Sequence, residues 1–294
     1  METIWNDEKE ITQRLHGIYP NLTNEQYFAD IHFLSSSGLK MLLREPEMFY
    51  RKYILKNLPK EEGKEHFDVG TAIHTKILEP EKYENQVTSF DGRRSGKVWE
   101  QFKEDNKGKI ILGNVANMQV ERMYASIQKH KKSLELLHYP GSSELSFFTS
   151  INGVPVKTRK DRISFDAKLM LDLKSMSGII NEETFGKQAD YLDYDLSAAL
   201  YMDVANRYLN PLTLVPYGEV PNGINGVHID KIEDYYWIVS SKDFDDTKVV
   251  KASPEILEQG RQKYLRALEK FKFYTENGWK FQDEIIVLYP RKTA

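Results

Sequence analysis

The chain has no cysteine among its 294 residues. That excludes disulfides, thiolate metal sites and cysteine-held iron–sulfur clusters, so any metal must be held by oxygen or nitrogen ligands. Long apolar runs are missing as well. No stretch approaches the roughly 20 residues that cross a bilayer, and mean hydropathy is −0.57. The opening METIWNDEKE is acidic and unlike a secretory leader, so a cytoplasmic chain that does not enter membranes is the expectation. An excess of positive charge is also lacking. The 41 Lys and Arg against 44 Asp and Glu give a net charge of −3, which leaves any contact with nucleic acid to local basic clusters. Internal repeats, low-complexity tracts and a Walker A glycine loop are absent too, so neither a solenoid nor an ATP-driven motor is indicated.

What the chain does have is Asp161, followed eleven positions later by Asp172-Leu173-Lys174. Met170, Asp172 and Lys174 alternate with Leu169, Leu171 and Leu173. On an extended strand the leucines share one face, and the other carries a carboxylate and an ammonium about 7 Å apart along the strand. Alone, D-x-K fits an ordinary surface strand equally well. The neighbouring segments sharpen it. Glu144–Ile151 and Val154–Ile163 read as strands joined by Asn152-Gly153, a strong two-residue hairpin signal. A polar break from Ser164 to Lys168 leads into the third strand, giving an antiparallel meander in which Glu144, Asp161 and Asp172 can converge at one end. Two carboxylates 4 Å apart repel by about 4 kcal/mol at an effective dielectric of 20. Such a cluster calls for a divalent cation, and oxygen ligands on a rigid sheet suit Mg2+ or Mn2+.

Further motifs lie upstream. Leu34-Ser35-Ser36-Ser37-Gly38-Leu39 is followed by Arg44-Glu45-Pro46, and Gly70-Thr71-Ala72-Ile73-His74 comes next. Taken with Asp161 and Asp172-Leu173-Lys174, these resemble the PD-(D/E)xK nuclease superfamily, and within it the RecE-type phage and prophage exonucleases related to exodeoxyribonuclease VIII. The similarity runs from Leu34 to Trp279. It implies an α/β fold: a restriction-endonuclease-like core with a central mixed sheet flanked by helices, and a helical N-terminal portion. It also implies roles. Asp161, Asp172, the Leu173 carbonyl and His74 would be metal ligands, Lys174 would orient or deprotonate the attacking water, and Glu144 would be an accessory acid. The implied cofactor is Mg2+, with Mn2+ substituting. The implied activity is ATP-independent digestion of linear double-stranded DNA from 5′ to 3′, leaving 3′ single strands for recombination by strand annealing. A homo-oligomeric ring, a single-strand annealing protein as partner and a phage or prophage gene in a bacterial cell complete what the resemblance implies.

Two departures stand out. Lys160 occupies the place of the usual proline before the first aspartate, and Ser197-Ala198-Ala199-Leu200-Tyr201 stands where the family often has Q-x-x-x-Y. Ser197 and Tyr201 are one helical turn apart, so the spacing survives while the long amide is lost; Gln188, nine residues earlier, is the alternative glutamine. His74 falls in a segment with helical apolar spacing. A lone histidine near an apolar face is more often a core residue, but Gly70 one turn earlier leaves room for a strand or a metal beside it. For DNA contact the sequence offers Arg159, Lys160 and Arg162 beside the site, Arg93-Arg94 in a glycine-rich loop, and Ser197 with Tyr201 on the following helix. Lys129, Lys131 and Lys132 read as a solvated face. Two rival functions remain: a structure-specific or nicking endonuclease of the same fold, and a non-catalytic protein that binds DNA ends or a recombination partner.

In organisation, residues 1–33 read as an N-terminal arm and 34–294 as one nuclease domain, helical over 34–140 with the catalytic core over 141–294. Helices are expected at Ser35–Arg44, 47–56, 68–79, 97–106, 114–136, 181–190, 194–209 and Pro254–Asn277, the last ended by Gly278. Further strands are expected at Tyr235–Ser240 and Glu284–Tyr289, with an insertion over 210–234.

Overall fold

The structure, a computed structural model, describes residues 16–58, 65–209 and 231–281. The expected strand at Glu284–Tyr289 and most of the expected insertion lie outside the described residues. Strand β1 (Gly17–Tyr19) leads to α1 (Asn24–Ala29), α2 (Ser36–Arg44), α3 (Pro46–Phe49) and one π-helical turn, Tyr50–Ile54. After these come α4 (Glu65–Leu78), α5 (Pro80–Gln86), β2 (Val87–Phe90), α6 (Lys97–Asp105), β3 (Ile110–Gly113), α7 (Asn114–Lys129) and α8 (Lys131–His138). The meander is β4 (Ser142–Ile151), β5 (Val154–Ser164) and β6 (Leu169–Met176); then follow α9 (Glu182–Tyr191), α10 (Tyr194–Leu209), β7 (Asp234–Ser241), β8 (Thr247–Lys251) and α11 (Pro254–Asn277).

The main sheet has the order β1-β4-β5-β6-β7-β8, and only β6–β7 is parallel among its pairs. The hairpin expected at Asn152-Gly153 forms, with both residues at positive φ, 52° and 81°. That backbone twist matches the twist of the flanking strands. Helices cover both faces. Leu169, Leu171 and Leu173 of β6 pack with Val69, Ala72 and Ile73 of α4 and with α7. Met170 and Met176, on alternate positions, join α2, α10 and α11 in the larger core. The alternation is as the sequence implies, but the charged face is covered too, and Asp172 is only 4% exposed. A strand buried on both sides reads as a near-continuous apolar run, and this one is interrupted by Asp172, Lys174 and Ser175.

Several elements differ from expectation for local reasons. The helix expected over 114–136 is two helices, because His130 takes an extended conformation and its Nδ1 accepts the Ser133 N–H at 3.2 Å, capping α8. The segment expected as one helix over 47–56 begins as α3 and ends as the π turn. Strands β2 and β3, too short to show periodicity, pair in parallel around α6 as a second small sheet. The residues expected to be an N-terminal arm are tied to the core from Gly17 onward, since β1 pairs with β4. Helix α11 crosses α10 at Gly260, where a Cβ would fall 2.0 Å from the Asp195 carbonyl oxygen. Only glycine permits that approach, and it fixes the first turn of α10 next to β6.

Lys160 is a correction. Instead of reaching DNA it is 1% exposed, its Nζ donating to Thr158 Oγ1 and lying 4.4 Å from the Phe147 ring and 4.9 Å from the Tyr201 ring. Burial holds its ammonium far below the ordinary lysine range. Replacing Lys160 by methionine should therefore stabilise the fold by roughly 1–3 kcal/mol. A thermal melt showing a lower midpoint would reverse this account of the residue.

Candidate metal centre and its surroundings

The site forms where two strands part. Pairing of β5 with β6 runs only through Ser164↔Leu169, Ile163↔Met170 and Arg162↔Leu171. At the next residue the Asp161 carboxylate takes over, its Oδ2 accepting the Leu173 N–H at 2.7 Å. Further along, the Leu34 segment enters the gap, with its N–H donating to Pro155 O at 3.0 Å and its carbonyl accepting from Lys157 N–H at 2.9 Å. Parted strands leave backbone groups without partners, and here a side chain and a neighbouring segment supply them. The motif at Leu34–Leu39 therefore sits where it does because the sheet opens at Asp161.

Around this opening the structure gathers Glu144, Asp161, Asp172, Leu173, Lys174 and His74. One ligand atom each from His74, Glu144 and Asp161 lie within 4.8 Å of one another. The Leu173 carbonyl accepts from His74 Nε2 at 2.9 Å, and that tautomer turns the Nδ1 lone pair toward Asp161 Oδ2, 3.4 Å away. A lone pair facing a carboxylate oxygen is an arrangement that a cation resolves. Lys174 Nζ lies 2.5 Å from Asp172 Oδ2 and 3.3 Å from the Leu173 carbonyl. Glu144 stands opposite Asp161 on β4 with φ at +52°. The register runs unshifted on either side, Ser143↔Arg162 and Leu145↔Lys160, so the left-handed residue is a local distortion at the site rather than an inserted bulge.

The charges divide unequally. Burial, and then the Asp172 carboxylate, push Asp161 well above the ordinary carboxyl range. Burial would raise Asp172 too, but Lys174 outweighs it and keeps Asp172 below its ordinary value. Burial lowers Lys174, yet Asp172 and Asp161 together hold its ammonium above the usual lysine value. Glu144 is pushed up to about 7, mainly by burial and against the pull of Arg159. His74 is pushed down to about 4 by burial and by Lys174, leaving a neutral imidazole able to donate a lone pair. Without a cation the cluster keeps carboxyl protons that a divalent ion would replace, so this set of oxygens and one nitrogen fits such an ion.

The residues suggested for DNA contact are mostly occupied elsewhere. Arg159 donates to Ser146 Oγ at 2.8 Å, to Leu22 O at 2.7 Å and to Asn24 Oδ1, and lies 4.5 Å from the Tyr27 ring centroid. Arg162 donates to Ser143 Oγ at 3.2 Å and Tyr139 O at 2.8 Å. Arg94 donates to Ile111 O at 2.8 Å, whereas Arg93 is exposed on the loop before α6, outside the cluster. Ser197 is buried, and Tyr201 Oη meets Ser36 Oγ at 3.1 Å, joining α10 to α2. Gly70 does not admit a strand: a Cβ there would meet nothing within 4 Å, so open space adjoins His74.

Residues with a less visible signal complete the surroundings. The glutamine–tyrosine pairing sought at 197 and 201 is made instead by Gln188 and Tyr194 across the α9–α10 turn. Gln188 Nε2 donates to Tyr194 Oη at 3.2 Å and to Ser175 O at 3.3 Å. The Tyr194 ring centroid lies 5.0 Å from Lys174 Nζ. Lys40 of α2 lies 5.7 Å from the same ring. Gln188 is the alternative glutamine of the sequence, but a six-residue separation across a turn has no helical regularity that would pair it with Tyr194, and Lys40 is one lysine in an amphipathic helix.

The model of a family described as "PDDEXK-like domain of unknown function (DUF3799)" matches residues 35–279. A crystal structure of a protein from Eubacterium rectale, described as a "putative exonuclease", superposes with a TM-score of 0.57 at 16% sequence identity. The alignment covers 90% of this chain and 96% of that one, so the two share a fold. No curated protein matches the sequence. Among the described residues, no helix is long and apolar enough to cross a membrane.

Proposed function

The chain belongs to the PDDEXK-like DUF3799 family, and from this we propose that it is a divalent-metal-dependent DNA exonuclease. The observation that carries the reading is the convergence of Asp161, Glu144 and His74 on one point beside the Asp172–Lys174 pair. Asp161, Glu144 and the His74 imidazole would hold the cation, with Asp172 and the Leu173 carbonyl beside them. When bound, the ion supplies Lewis acidity and lowers the pKa of water near it. Lys174, held as an ammonium, orients the attacking water through its own N–H groups and stabilises negative charge growing on the phosphate. It is not poised to remove a proton, because its two carboxylate neighbours keep it charged. His74 stays neutral and is fixed by its bond to Leu173 O. No covalent intermediate is needed. Action on linear duplex ends from 5′ to 3′, without ATP and as a cytoplasmic ring working with an annealing protein, is the finer reading that the resemblance to RecE-type exonucleases supports.

The test is incubation with a 5′-phosphorylated linear duplex and a closed circle of the same DNA, each with Mg2+, Mn2+ or EDTA. We expect nucleotides to be released from the linear form only, and only with metal. Cutting of the circle would make it an endonuclease. Binding without cleavage in any metal would make it a DNA-end binding protein.

A further inference from the structure

Helix α2 presents Ser36, Lys40 and Arg44 at successive turns, hence along one face. The two outer residues are tied to the second half of the fold. Ser36 Oγ meets Tyr201 Oη at 3.1 Å, and Arg44 pairs with Asp193 Oδ2 at 2.6 Å and donates to the Tyr191 carbonyl. Lys40, between them, makes no hydrogen bond or ion pair to any described residue. It is half-buried, with its ammonium 5.7 Å from the centroid of the Tyr194 ring, and the Lys174 ammonium lies 5.0 Å from the same ring. Two ammonium groups thus lie beside one ring at the edge of the metal centre.

Carboxylates within electrostatic reach of Lys40 are Asp172, Asp193 and Asp195, and each is already paired with another cation. Asp172 holds Lys174 at 2.5 Å, Asp193 holds Arg44 at 2.6 Å, and Lys263 lies 3.0 Å from Asp193 and 2.9 Å from Asp195. Lys40 is therefore a surplus positive charge in a place where a methionine or leucine would satisfy the packing of an amphipathic helix. An uncompensated half-buried ammonium is costly, and an anion arriving beside it removes the cost. Burial, and then Lys174, lower Lys40 to about 8. That is the signature of a group short of negative charge.

We infer that Lys40 binds a backbone phosphate of the substrate next to the bond that is cut. This assignment rests on the nuclease reading above. The phosphodiester is the anion which that reaction brings to Tyr194, and an ammonium on a flexible stem grips it without reading the base. The positioning of Ser36 and Arg44 keeps α2 against α10, so Lys40 is held at the site by its own helix.

The experiment is initial-rate cleavage of linear duplex DNA at several salt concentrations by the wild type, Lys40→Met and Lys40→Arg, with a thermal melt of each. Lys40→Met should raise KM about tenfold at physiological salt and reduce the salt slope of kcat/KM by about 0.7–0.9, the value of one lost phosphate contact. Its melting midpoint should be no lower than that of the wild type, and Lys40→Arg should retain the wild-type slope. A cleaving wild type whose KM and slope are matched by Lys40→Met overturns the Lys40 assignment and leaves the nuclease intact. A Lys40→Met chain that melts early and is matched by Lys40→Arg makes the residue structural and also overturns it. A wild type that does not cleave at all overturns both readings together.

Discussion

Exchanging Lys174 for methionine is expected to slow DNA cleavage by about 10²–10⁴-fold, and added metal should not restore the rate. Among the described residues the Lys174 ammonium is the cation paired with Asp172, at 2.5 Å, and it is what keeps that carboxylate ionised inside the fold. Methionine fills the same space without charge, leaving the buried Asp172 carboxylate without its counter-ion beside Asp161. Breaking one partner out of a buried pair typically costs about 3–5 kcal/mol, so the metal-free variant should melt earlier at neutral pH. Magnesium should recover most of that stability, because an ion bound to the folded state alone shifts the equilibrium toward it. Rates on a linear duplex, with melts in Mg2+ and in EDTA, separate the two effects. A variant that cleaves at the wild-type rate would remove Lys174 from the mechanism.

Asp161→Asn should have the opposite effect on stability. Asparagine is almost the same size and can still accept the Leu173 N–H through its side-chain oxygen, so the splay of β5 from β6 survives. What goes is a carboxyl whose folded value is pushed well above 3.8 by burial and by Asp172. The sign follows from linkage. As pH rises above the unfolded value, the unfolded chain releases its proton first, so the wild type loses stability over that window and the asparagine variant does not. In EDTA the variant should therefore be more stable at neutral pH, by on the order of 1–3 kcal/mol, with the advantage vanishing near pH 3. In the same variant Mn2+ affinity should collapse and cleavage should fall by about 10³-fold. An ordinary salt-bridge network would show both variants destabilised. Opposite signs in Lys174→Met and Asp161→Asn, read in EDTA by calorimetry, mark a site arranged for an ion.

The parts of this fold that could be read from the sequence are those specified by local chemistry. Asn152-Gly153 allows one kind of turn, so the β4–β5 register followed. Alternation of leucines with Met170, Asp172 and Lys174 identified β6, and Ser35, Pro46 and Gly278 marked helix ends. Pieces decided by distant partners were hidden. Lys160 looked like a surface cation because nothing near it in sequence shows that Phe147 and Tyr201 enclose it. His130 does not look like a helix cap, so α7 and α8 merged into one helix. Strands β2 and β8, four and five residues long, are too short to show a period. At the site, the residues lying on the sheet were legible, and Gln188 stood out as the alternative glutamine. Its partner Tyr194 and Lys40 were not visible, because they are brought together only when α2, α9 and α10 close over β6.

The anchoring of the N-terminal strand bears on how fragments of this protein behave. Arg159 reaches Leu22 and Asn24, and Lys157 donates to the carbonyls of Tyr27 and Asp30, whereas the stretch shared with the family starts at residue 35. A chain trimmed to that shared stretch keeps every acid, lysine and histidine of the site. It also removes the Leu22, Asn24, Tyr27 and Asp30 acceptors from two cations on the strand that carries Asp161, one of which draws Glu144 downward in pKa. Such a fragment would report weak activity for reasons of scaffolding, and its inactivity would be mistaken for missing chemistry. The folded unit of this protein begins earlier than the stretch it shares with its family.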